Sequence, residues 1–131
     1  MSKPIASYMT RMPVTIEHDA SLAKAHALMR EREIRHLPVM RGGRVVGIVS
    51  RGDLHLLETI ADFPLDAVEV EEAMTEDPYI VSIGTPTDDV VDTMAQHKYG
   101  CAIVVGPNGD VAGVFTAIDA MTLLAQQLRA A

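Results

Sequence analysis

The chain carries one pattern twice. Residues 8–40 lie over 73–105 at a shift of 65, and one extra residue in the loop 106–109 moves the shift to 66. Met9-Thr10 falls on Met74-Thr75, Pro13 on Pro78, Met29 on Met94 and Val39 on Val104. Gly43 then meets Gly109, Val45 meets Val111, Gly47 meets Gly113, Asp53 meets Asp119 and Leu57 meets Leu123. Ten identities in order with one gap mark a tandem duplication. Copies this short do not each bury a sufficient core, so they are expected to pack together with approximate two-fold symmetry and to form two equivalent clefts.

Each copy reads as βαββα, which makes the expected fold class α+β. A short strand opens it, Val14-Thr15-Ile16 in one copy and Tyr79 to Ile83 in the other, each after a proline that biases its predecessor away from helix. A helix follows, with the apolar stripes Leu22/Ala25/Met29 and Val90/Val91/Met94 at helical spacing. Asp19 or Ser21 is the expected cap of the first helix, and Thr85, ahead of Pro86, that of its counterpart. Two strands then form a hairpin, 37–40 with 45–49 and 102–105 with 111–115, across turn-forming Gly, Pro and Asn residues. A last helix begins at Ser50 or Thr116. The expected boundaries are residues 1–60 for the first repeat, 61–72 for a polar linker and 73–131 for the second.

Composition narrows the function classes. The 131 residues carry a net charge of −7 with no basic run, which argues against nucleic acid as a partner. No apolar stretch reaches the ~18 residues of a membrane span, and Met1-Ser2-Lys3-Pro4 leads into no signal-like segment, so a cytoplasmic protein without membrane contact is expected. The single cysteine, Cys101, sits in an apolar strand and reads as a small core residue. The five histidines (18, 26, 36, 55 and 97) show no paired ligand spacing, so no metal site is expected. No nucleophile, base and orienting group come together, so no catalytic residue is assigned and the chain is not expected to be an enzyme.

The chemistry-bearing motif is Gly-x-x-Ser/Thr-x-x-Asp, present as Gly47, Ser50 and Asp53 and again as Gly113, Thr116 and Asp119. A glycine admits close approach of a ligand to the backbone. The hydroxyl stands where a helix begins, among free N–H groups that favour a phosphate. The aspartate, one turn on, can accept two hydrogen bonds from the vicinal hydroxyls of a ribose. The same residues also spell a helix capping box that needs no ligand.

In this order the motifs resemble a tandem pair of CBS (cystathionine β-synthase) domains, a Bateman module, over about residues 5–125. The resemblance rests on Tyr8 to Val14, Ile34 to Val39, Gly47 to Asp53, Ala73 to Pro78 and Gly113 to Asp119. It implies a non-catalytic regulatory module that requires no cofactor and binds AMP, ADP, ATP or S-adenosylmethionine. It further implies one cleft built from Ser50 and Asp53 with Tyr79, Ile80 and Val81, and another from Thr116 and Asp119 with Thr10, Val14 and Thr15. Strand backbone groups would read the adenine edge.

Arg35 matches a position that often contacts phosphate in such modules, and it reads equally as a solvated arginine beside Arg30, Arg32 and Glu33. His36 is either a second phosphate contact or a plain strand residue. Gly100-Cys101 replaces this pair in the second copy. Such modules commonly form homodimers that act on a protein partner. The apolar positions Leu54, Leu56, Leu57, Ile60, Met121, Leu123, Leu124 and Leu128 either supply a dimer face or cover the sheets. The competing reading is a structural or interaction module whose clefts stay empty.

Overall fold

A computed structural model describes residues 2–11, 14–59 and 64–131. Met12, Pro13 and Ile60, named above, lie outside the described residues, as do residues 61–63 of the expected linker. The described chain forms β1 (Thr10–Arg11), β2 (Ile16–Glu17), α1 (Leu22–Arg32), β3 (His36–Arg41), β4 (Arg44–Ser50) and α2 (Arg51–Thr59). It continues as β5 (Thr75–Glu76), β6 (Ile80–Ser82), α3 (Thr87–His97), β7 (Cys101–Val105), β8 (Val111–Thr116) and α4 (Ala117–Ala130). This is the α+β class with βαββα order in each copy.

The chain divides into two compact units, Val14–Pro78 and Met1–Pro13 with Tyr79–Ala131. Each has one four-stranded sheet, ordered β2-β3-β4-β5 in the first and β1-β8-β7-β6 in the second. The outer pair β2–β3, like β6–β7, is parallel, and the remaining pairs are antiparallel. The compact units are therefore cut about a dozen residues away from the sequence repeats. The short strand ahead of each repeat pairs with the hairpin of the other copy, so that β5 borders β4 and β1 borders β8.

Both hairpins break register at the same place, between Val39 and Met40 and between Val104 and Val105. A bulge adds local twist to a strand, and here it precedes Gly47 and Gly113 in each copy. Those glycines pair with Val39 and Val104. The apolar stripes behave as the spacing predicts: Leu22, Ala25 and Met29 are buried beneath β3 and β4 with Leu37, Val39, Val49 and Leu54. In the other unit Val90 and Met94 pack with Val81, Val104 and Phe115. Val14 and Thr15 lie just ahead of β2, so the first strand of that copy is shorter than expected.

The helix starts differ from one another. Ser21 caps α1, its Oγ accepting from the Lys24 N–H at 3.1 Å. Thr85 does not cap α3; its hydroxyl meets that of Ser82. The free N–H groups of α3 go instead to the chain's first residues, Thr87 to the Lys3 carbonyl at 2.9 Å and Asp88 to Ser2 Oγ at 3.0 Å. A cap supplied from more than eighty residues away is invisible to local pattern. Residues 65–70 play the matching part for α1, with Leu22 N–H donating to Val68 and Val70 N–H to Ala20. Val70 is buried, so part of the expected linker belongs to a core.

Candidate functional site

At the junction of β4 and α2, Ser50 Oγ accepts from the Asp53 N–H at 3.1 Å and Asp53 Oδ2 accepts from the Ser50 N–H at 3.0 Å. The β8–α4 junction repeats this with Thr116 and Asp119 at 3.2 and 2.9 Å. Both motifs are thus complete capping boxes, which fix each carboxylate at the electropositive start of its helix. The capping role uses Oδ2 and leaves the second oxygen for other work.

The two carboxylates part ways at that second oxygen. Thr10 Oγ1 lies 3.2 Å from both Asp119 oxygens and donates its proton to them. A hydroxyl of the protein itself therefore occupies Asp119. Thr75 holds the equivalent place beside Asp53 but makes no bond to it, and Asp53 Oδ1 accepts no hydrogen bond from any described residue.

The glycines have a reason within the protein. A Cβ on Gly113 would stand 2.5 Å from the Thr10 carbonyl oxygen, and one on Gly47 would stand 2.5 Å from Met74 Sδ and 2.9 Å from the Thr75 carbonyl. Close approach of β1 and β5 demands glycine at both positions. The expectation that a ligand requires them is not needed to explain them.

Two arginines and two histidines gather at the β4–α2 junction. Arg35, His36, Ser50, Arg51, Gly52 and His55 line a cavity of about 570 Å³ at the head of α2. The Arg51 N–H donates to the Arg35 carbonyl at 2.8 Å and so holds the two arginines' backbones together. The repeat register places Gly100, Cys101, Ala117 and Met121 where Arg35, His36, Arg51 and His55 stand. Sequence reasoning singled out Arg35 and His36 and missed Arg51 and His55. Their signal lies in the differences between the copies.

Desolvation pushes the His36 imidazole below its ordinary value, with the Asp53 carboxylate opposing and Arg35 adding to the fall. His36 is therefore neutral at pH 7 and offers a ring N–H, while the arginines supply charge. Burial pushes the Cys101 thiol up to about 12, with the charge of Asp119 adding to the effect. A thiol so protonated is an inert core group, as its strand context predicts.

The remaining expected residues divide between the units. Tyr79, Ile80 and Val81 lie at β6, an edge strand, with the Tyr79 ring stacked on Tyr99 at 5.2 Å. The Tyr79 carbonyl is already taken by the Ile103 N–H, whereas the Ile80 side chain is exposed. Val14 and Thr15 are half-buried beside β2, the edge of the other sheet. Among the described residues no His, Cys, Asp and Glu cluster is suited to a metal, and no helix is long and apolar enough to cross a membrane.

A duplicated βαββα unit with a capped Ser/Thr-Asp pair in each copy defines a class of two-repeat α+β folds. The CBS domain profile matches residues 5–56 and 70–126, and the chain belongs to the CBS-domain family. It is 32% identical over 117 residues to inosine-5'-monophosphate dehydrogenase of Korarchaeum cryptofilum, covering 89% of this chain but 23% of that enzyme. An uncharacterized conserved protein from Pyrococcus horikoshii superposes with a TM-score of 0.80 at 28% identity, over 94% of this chain and 92% of that one. The CBS domain of the bacterial CNNM/CorC family Mg2+ transporter, solved in complex with ATP, gives 0.78 at 28% identity over 91% and 84%.

Proposed function

We propose that the chain is a non-catalytic regulatory module that binds an adenosine nucleotide at the head of α2. The observation that carries this reading is the concentration of Arg35, His36, Arg51 and His55 around one cavity in a chain of net charge −7. The second oxygen of the adjoining Asp53 accepts from no described residue and suits a sugar hydroxyl, and the guanidinium forks of Arg35 and Arg51 suit phosphate. The ATP complex of the transporter's CBS domain supports the ligand class. AMP, ADP, ATP and S-adenosylmethionine are the ligands to compare. Occupancy would pass to a protein partner through a change of conformation or self-association, a step that rests on analogy of fold.

A second reading, a ligand-free interaction module, is favoured by one finding: capping and strand approach account for Asp53, Asp119 and both glycines without a ligand.

An asparagine separates the two readings, because it keeps one acceptor oxygen for the cap and loses the other. The nucleotide reading expects Asp53→Asn to weaken AMP binding by about tenfold in calorimetry while changing stability by less than about 1 kcal/mol. Asp119→Asn should leave the affinity unchanged. If none of the four ligands binds the wild-type chain, the interaction module is the better account.

A further inference from the structure

A second cavity, of about 300 Å³, adjoins the first and shares two of its walls. Arg35 and Arg51 line both, and Arg30 and Glu33 complete the charged part of the second, beside His26. Three arginines against one glutamate give this pocket a net positive charge. Among the described residues none of these three arginines forms an ion pair with a carboxylate.

A helix end explains one of them. Arg30 lies in the last turn of α1, where a cation complements the helix dipole. It explains neither Arg35 nor Arg51, which lie outside that helix. The other copy supplies an internal comparison: the repeat register puts Ala95, Gly100 and Ala117 at the positions of Arg30, Arg35 and Arg51, and Val91 at that of His26. The duplicated fold therefore forms its helix and hairpin without any of these charges.

Building on the nucleotide reading above, we infer that the second cavity is a subsite for the terminal phosphates of a nucleoside polyphosphate. A phosphate chain that leaves the first cavity between Arg35 and Arg51 enters the second and meets Arg30. Glu33 sets a limit on how much negative charge is gained there. The consequence is selectivity for ATP over ADP and for ADP over AMP, confined to the unit Val14–Pro78.

Calorimetric titration of the full chain with AMP, ADP and ATP, in the wild type and in Arg30→Gln, tests this. The wild type should bind ATP about tenfold more tightly than AMP, and Arg30→Gln should remove most of that advantage while AMP affinity stays within about twofold. Equal wild-type affinities, or an equal loss for AMP and ATP in the variant, would overturn the subsite while leaving the nucleotide reading intact. If no nucleotide binds, that reading fails, and inorganic tripolyphosphate decides the subsite by itself: binding lost in Arg30→Gln supports it, and no binding to the wild type overturns it.

Discussion

Asp53 and Asp119 do the same local work and differ in what is left over. Each closes a capping box, and only Asp119 has its remaining capacity taken by a hydroxyl of the chain, that of Thr10. His36 sits beside the free carboxylate with its imidazole held below the ordinary value, chiefly by burial. The unfolded chain binds this proton more readily than the folded one, so the stability His36 confers is full above the unfolded value of about 6.5 and falls as pH drops below it. Melting temperatures measured between pH 5 and 7 should therefore fall less steeply with acidity for His36→Gln than for the wild type. Identical slopes would show that His36 is not desolvated in the fold.

At the scale of elements, the two-residue strands β1 and β5 determine more than their length suggests. They set the need for Gly113 and Gly47, which local reading assigned to a ligand. Gly113→Ala is expected to cost about 1–3 kcal/mol, because its Cβ would meet a backbone oxygen. Gly47→Ala should cost less, since its nearest obstacle is the Met74 side chain and the Thr75 carbonyl stands 2.9 Å away, against 2.5 Å for the Thr10 carbonyl at Gly113. Thermal melts of the two variants give the comparison, and equal stabilities would contradict it.

The helices and hairpins were legible because apolar spacing and turn residues are local. β1 and β5 are too short for any period to register, and their pairing crosses from one copy to the other. The cap of α3 was misread at Thr85 for a similar reason, since Ser2 and Lys3 reach it only through the fold. The candidate site was legible in its shared part, Ser50 and Asp53. Arg30, Arg51 and His55 carry no repeat signal, because Ala95, Ala117 and Met121 stand at the matching positions.

For the molecule as a whole, duplication with divergence is the recurring theme. One copy has a pocket lined by arginines and a carboxylate oxygen that accepts from no described residue; the other lacks those arginines and satisfies its carboxylate internally. The expected apolar face also divides: Leu54 is buried and Leu57 packs partly against the same core, whereas Met121, Leu124 and Leu128 are 57%, 54% and 66% exposed on α4. With Ile118 they form a stripe along that helix. Self-association through α4 is the proposal that covers it. Sedimentation should then report a dimer for the wild type and a monomer for Leu124→Asp, and a monomeric wild type would remove the proposal.

The proposed nucleotide site occupies one junction and not its duplicate. Backbone amide spectra recorded during titration with ATP test it most directly. The account predicts saturable shifts at Ser50, Arg51, Gly52 and His55 and none of comparable size at Thr116, Ala117, Ile118 and Met121. Larger shifts at the second group, or none at either, would contradict it.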